Sequence, residues 1–127
     1  MNDGSGSWTE RDEVAIRRMI GEGRTPVQRV ANVLASKHKL AVFWELSTGP
    51  KRFKELERAL APVTAKVLTR NLRDLEEMAF VVRESFDVSP PKVEYRLSPM
   101  GDGLRAHIHA LCEWSMAHAD ALMPAAG

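Results

Sequence analysis

The chain has 127 residues, enough for one compact domain with its own core, and its 44% hydrophobic and 28% charged content excludes a disordered chain. The formal net charge of +1 names no partner by itself. A single cysteine, Cys112, excludes an intramolecular disulfide and an all-thiolate zinc cage within one chain.

Residues 1–8 open with the polar, Gly/Ser-rich run MNDGSGS and are expected to form a disordered tail. Nothing there resembles a secretory leader, and no apolar run reaches membrane-spanning length, so the cytoplasm is the expected location. Residues 9–127 are expected to form one folded domain. Thr9 can cap a first helix that runs to Gly21, with Asp12 in its first turn. Pro26 suits the first turn of a second helix, where Val27, Val30, Ala31 and Leu34 recur at i, i+3, i+4 and i+7 as one buried stripe. Lys39 to Thr48 is apolar nearly all round and is expected in the middle of the core, Trp44 included, until Gly49-Pro50 stops it. Phe53 to Leu60 forms a short helix, and Ala61-Pro62 breaks it. Thr64 then offers an N-cap for a longer helix from about Ala65 to Met78.

Two β-favouring runs follow, near Phe80 to Phe86 and Val93 to Leu97. In the second, apolar Val93, Tyr95 and Leu97 alternate with Lys92, Glu94 and Arg96. Ser98 and Pro99 begin a last long helix. Its Leu104, Ile108, Leu111, Ser115, His118 and Leu122 recur at alternating spacings of four and three, a coiled-coil-like seam. A short helix, a turn, a longer helix and a hairpin make a winged helix-turn-helix. The expected fold is therefore mainly α (α+β), with a two-stranded wing and N- and C-terminal dimerisation helices.

The charge distribution says more than its sum. Residues 51 to 73 hold seven basic and two acidic side chains, a local excess of five. On a helical wheel at about 100° per residue, Leu68, Leu72, Leu75 and Ala79 share one sector of the longer helix. Lys66, Arg70, Arg73 and Glu77 fall on the opposite side, flanked by Thr69 and Asn71. A helix fits the major groove, and the N-terminal half of a recognition helix does most of the reading. That half holds Thr64, Lys66, Thr69 and Arg70, while Arg73 lies nearer the phosphates. At the hairpin tip, Pro90 and Pro91 restrict the backbone, and Lys92, with Arg83 or Arg96, can neutralise phosphate or enter the minor groove. Proline and lysine can equally guard an edge strand against unwanted pairing, and the cations of the helix can equally be a solvated face. The expected DNA contacts are Lys51, Arg52, Thr64, Lys66, Thr69, Arg70, Arg73, Pro91 and Lys92. The expected dimer interface is Leu104, Ile108, Leu111, Trp114 and Leu122.

Three blocks now carry a resemblance. GPKRFKEL (Gly49 to Leu56), VLT with LRDLE (Val67 to Glu76) and PKVEY with Leu97-Ser98 and Gly101 resemble, in the right order, segments of the HxlR-type winged helix-turn-helix regulators, relatives of the MarR group. The resemblance covers about residues 25 to 118 and implies a homodimeric bacterial or archaeal transcription factor. Family members commonly carry Cys-Pro-Val before the first core helix, the sensor of thiol-switch members. Here Thr25-Pro26-Val27 stands in that place, and threonine forms no thiolate. The usual Gly-Lys-Trp is Ser36-Lys37-His38, which puts a polar ring near a pocket wall or dimer contact. Met78-Ala79-Phe80 replaces the commoner acidic-Gly-Leu turn.

Other chemistry finds little footing. His107 and His109 point about 200° apart on a helix and cannot grip one ion together. His109, Cys112 and Glu113 could share a face, yet helical His and Cys are more often simply packed, so no metal site is expected. Cys112 lacks a basic neighbour other than histidine to activate it as a redox sensor. A Gly-rich phosphate loop, a nucleophile elbow and an HExxH pattern are all missing, so neither catalytic residue nor cofactor is expected. The expected function is a sequence-specific DNA-binding regulator, homodimeric on a pseudo-palindromic operator. The alternative is a winged-helix module that senses a small molecule or another protein without reading DNA. In either case an effector of unknown identity is an open partner.

Overall fold

The computed structural model describes residues 7–124. Of the tail expected over residues 1–8, residues 1–6 therefore lie outside the described part. The chain divides into two compact units, Met1–Leu40 and Ala41–Gly127.

In the first unit, α1 (Glu10–Gly21) starts at a reciprocal cap. The Asp12 N–H donates to Thr9 Oγ1 at 3.2 Å, and the Asp12 carboxylate accepts the Thr9 N–H at 2.8 Å. Gly23 takes a positive φ of 71° as the chain leaves the helix. A second reciprocal cap, between Thr25 and Gln28, opens α2 (Pro26–Ala35). The buried stripe expected on α2 is displaced by about one position. Val33 is fully buried and Val30 and Leu34 half-buried, while Val27 and Ala31 are exposed. Apolar residues occupy two neighbouring sectors of this helix, and periodicity alone fits either.

Next comes α3 (Lys37–Leu46), two residues ahead of the expected Lys39 start, because the Ser36 hydroxyl accepts the Lys39 N–H at 3.2 Å. Within the second unit, Val42, Phe43 and Leu46 of this helix are buried. Trp44 is not a core residue. It points about 200° away from Val42 and from Leu46, is 42% exposed, and stacks on His109 at 4.6 Å between centroids. The helix ends at Leu46, where the Ser47 and Thr48 hydroxyls turn back onto the Trp44 and Glu45 carbonyls.

The core of the second unit gathers Phe43, Leu56, Leu68, Leu72, Leu75, Phe80, Val81 and Ile108. Phe43 and Phe80 meet edge to face at 6.5 Å. α4 (Phe53–Ala59) contributes Leu56. α5 (Ala65–Glu77) contributes three leucines one turn apart and is capped by Thr64, whose hydroxyl accepts the Val67 N–H at 3.2 Å. Past its end, Ala79 adopts φ 66°. The Phe80 N–H reaches the Leu75 carbonyl at 3.0 Å and the Ala79 N–H the Glu76 carbonyl at 2.9 Å, a Schellman motif with alanine in the left-handed place. Ala79 is thus an exposed turn residue and not part of the leucine face.

β1 (Val81–Phe86) and β2 (Lys92–Leu97) pair antiparallel, from Val81 opposite Leu97 to Phe86 opposite Lys92. The hairpin is not isolated. Lys51 bridges Tyr95 through two backbone bonds of 2.9 and 2.8 Å, which tie the segment before α4 to the wing. Ser98 makes the next junction. Its hydroxyl donates to the Ala79 carbonyl at 2.6 Å and accepts the Gly101 N–H at 2.9 Å, which starts α6 (Pro99–Ala117). A Cβ on Gly101 would lie 2.2 Å from the Phe80 carbonyl oxygen, so only glycine permits this approach. The expected continuous helix to Leu122 is interrupted at His118, and α7 (Ala119–Leu122) follows. The His118 ring Nδ1 sits 2.8 Å from the Trp114 carbonyl oxygen, the acceptor a continuing helix would offer to the His118 N–H.

Candidate nucleic-acid interface

The inner face of α5 is fixed by burial of Leu68, Leu72 and Leu75. Its outer face consequently carries Lys66, Arg70 and Arg73, all exposed. Among the described residues none of the three takes part in an ion pair. Thr64 is exposed at the N-cap and Thr69 is half-buried beside the row. Asn71, expected to flank the row, is buried instead. Its Nδ2 donates to the Val67 carbonyl at 2.8 Å, so its amide serves the helix itself.

Two further groups of expected contacts lie outside α5. Arg52 is exposed just before α4, where its backbone N–H is held by Glu55 Oε1 at 2.8 Å. Lys51 is half-buried and its ammonium donates to Thr48 Oγ1 at 2.8 Å. On the wing, Pro90 and Pro91 are exposed. Lys92 is not at the tip but opens β2, lying 4.9 Å over the Phe86 ring and 3.4 Å from Glu94 Oε2. Arg96 faces Glu84 at 3.7 Å, and Arg83 is exposed. The tie that sequence reasoning missed is Lys51 to Tyr95. A single bridge leaves no periodic signal, and only the adjacent Gly-Pro hints that the chain turns there.

A helix with an exposed cationic face thus follows a short helix and precedes a hairpin. The sequence model described as HxlR-like helix-turn-helix matches residues 33–123. The chain belongs to the HxlR-like helix-turn-helix family. It is 38% identical over 88 residues to the uncharacterized HTH-type transcriptional regulator YkvN of Bacillus subtilis (strain 168), which covers 69% of this chain and 75% of that protein. Among solved structures it is similar to a chain described as a MarR-family transcriptional regulator from Enterococcus faecalis V583, with TM-score 0.66, 39% identity, and coverage of 76% of this chain and 90% of that one. It is also similar to the redox regulator HypR in its reduced form, with TM-score 0.69, 36% identity, and coverage of 77% and 97%. The fold is the winged helix of this family, and the family is one of transcriptional regulators and not of enzymes. No helix among the described residues is long and apolar enough to cross a membrane.

The family's core match begins at Val33, downstream of the Thr25 position. Thr25 is 2% exposed, and its hydroxyl is engaged with Gln28. His38 is half-buried in the first turn of α3. Cys112 is half-buried, and among the described residues no three His, Cys, Asp or Glu side chains gather at metal-binding range. Of the residues expected at a dimer interface, Ile108 is buried within the protomer and has no surface left to offer a partner. Leu104 is half-buried, whereas Leu111, Trp114 and Leu122 are each about half exposed. Trp114 stacks on His118 at 4.3 Å.

Proposed function

We propose that the protein is a homodimeric, sequence-specific regulator whose α5 enters the major groove while the Pro90-Pro91 tip approaches the backbone or minor groove. The observation that carries this reading is the row of Lys66, Arg70 and Arg73, exposed and, among the described residues, free of ion pairs, opposite three buried leucines. An arginine without a protein partner is available to guanine or phosphate. Arg52, exposed just before α4, is a further cation open to phosphate. Lys92, engaged by Phe86 and Glu94, supports the reading less, because it must leave both to reach DNA.

Dimerisation is supported by apolar surface left open in each unit. On α1, Val14 is 70% and Ile20 57% exposed. A groove of about 490 Å³ there is walled by Trp8, Ala15, Ile16, Met19, Pro26 and Val27. On α6 and α7, Leu111, Trp114, Met116 and Leu122 stand in solvent. A second copy would cover such surface. A two-fold dimer reads two half-sites about one helical turn apart.

Electrophoretic titration of DNA flanking its own gene tests the reading. Arg70→Ala and Lys66→Ala are expected to abolish the specific shift while the fold, followed by circular dichroism, is kept. Intact binding by both variants would overturn it.

A further inference from the structure

The hairpin carries paired charges on one face. Glu84 stands directly opposite Glu94, Val82 opposite Arg96, and Phe86 opposite Lys92. Residues paired in this way point to the same side of a sheet, so these six side chains share a face. The other face holds Val81, which is buried in the core of the second unit.

Two glutamates placed opposite each other repel, an arrangement that weakens a strand pair. Here each has a cation beside it. Lys92 Nζ lies 3.4 Å from Glu94 Oε2, and Arg96 Nε lies 3.7 Å from Glu84 Oε1. Lys92 is held a second time, by the Phe86 ring at 4.9 Å. The Lys92 and Glu94 side chains are only 34% and 22% exposed, so salt screens this pair less than one in open solvent. The four charges cancel. This sets the wing apart from α5, whose Lys66, Arg70 and Arg73 have no ion pair among the described residues.

The difference matters for a polyanion. Sequence-independent binding to DNA comes from cations that neutralise phosphates. A free cation does so without losing a protein partner, whereas Lys92 must give up both Glu94 and the Phe86 ring. The carboxylate left behind then faces Glu84 as well as the phosphates. We propose that Glu84 and Glu94 restrain the wing, holding Lys92 and Arg96 back from phosphate and lowering the affinity of the protein for DNA of any sequence. The inference rests on the DNA-binding reading above and adds a negative determinant to it.

Fluorescence anisotropy of a labelled duplex of scrambled sequence, titrated with the full chain at several salt concentrations, tests it. Glu94→Gln is expected to tighten binding by about fivefold, the upper worth of an exposed ion pair. Log affinity should also fall more steeply with log salt, by about one unit of slope, as Lys92 takes a phosphate. Adding Lys92→Gln to Glu94→Gln should return the slope to that of the unaltered protein. Glu84→Gln, which releases Arg96, carries the same expectation and decides the matter if Glu94→Gln fails to fold. Glu113→Gln removes the same charge from an exposed position on α6 and is expected to leave affinity and slope unchanged. Unchanged affinity in Glu94→Gln and Glu84→Gln, or an equal gain in Glu113→Gln, would overturn the proposal. Failure of the sequence-specific reading would look different: the unaltered protein would bind the scrambled duplex and DNA flanking its own gene equally well.

Discussion

Ala79 is where a single side chain stands against its backbone. The left-handed conformation brings Cβ too close to the following carbonyl and costs a non-glycine residue about 1–2 kcal/mol. The position is nevertheless held, because the Schellman bonds of Ala79 and Phe80 and the Ser98 hydroxyl on the Ala79 carbonyl all require that turn. Glycine would remove the clash and give back part of the gain through a more flexible unfolded chain. Ala79→Gly is therefore expected to stabilise by about 0.5–1 kcal/mol, seen as a higher urea midpoint at unchanged slope. The sequence already marked the place, since Met78-Ala79-Phe80 stands where the resembling family has glycine. It did not show that the conformation itself is retained. Gly101 is the complementary case, in which a glycine was visible and its reason, the Phe80 carbonyl, came from 21 residues upstream.

At the scale of the element, helix α1 depends on its cap. The Asp12 carboxyl is held below the usual 3.8, first by the Thr9 hydroxyl and then by the Thr9 backbone N–H. A depressed carboxyl stabilises the folded form above its unfolded value and loses that contribution as pH falls through the folded value. Fraying of α1 is thus expected to increase below about pH 4, and Asp12→Asn to flatten that dependence, read from amide exchange in residues 10–13. For α5 the element-level expectation concerns salt. Arg73→Ala, which removes a phosphate contact in the proposed complex, is expected to weaken binding to all sequences alike. It should also lower the salt slope by about one.

These helices also show what a sequence discloses. α5 was legible because its leucines and its cations occupy opposite sectors with little between them. The buried face of α2 was misjudged because apolar residues fill two adjoining sectors. Trp44 was misplaced for a related reason: a helix apolar nearly all round does not say which side turns outward. Asn71 was expected to flank the cationic row, and its bond to Val67 could not be inferred from spacing. The cationic row was visible beforehand, whereas the Lys51–Tyr95 bridge joins distant segments and carries no motif.

For the whole molecule, the exposed apolar surface on α1 and on α6–α7 bears on assembly. Trp114 is 55% exposed and held by the His118 ring, which suits an anchor in a self-complementary contact. Trp114→Ala, combined with Leu111→Asp, is expected to convert a dimer to monomers in sedimentation velocity while leaving the helical content unchanged. An unaltered sedimentation coefficient would assign the contact elsewhere. The backbone bridge from Lys51 to Tyr95 has a consequence of its own. It ties the approach to α4 to the hairpin, so that in the proposed complex the two parts would meet a duplex as one piece. Joined in this way, the pair would gauge the width between neighbouring grooves. Operators would then be sorted partly by their girth, through base pairs that no side chain touches.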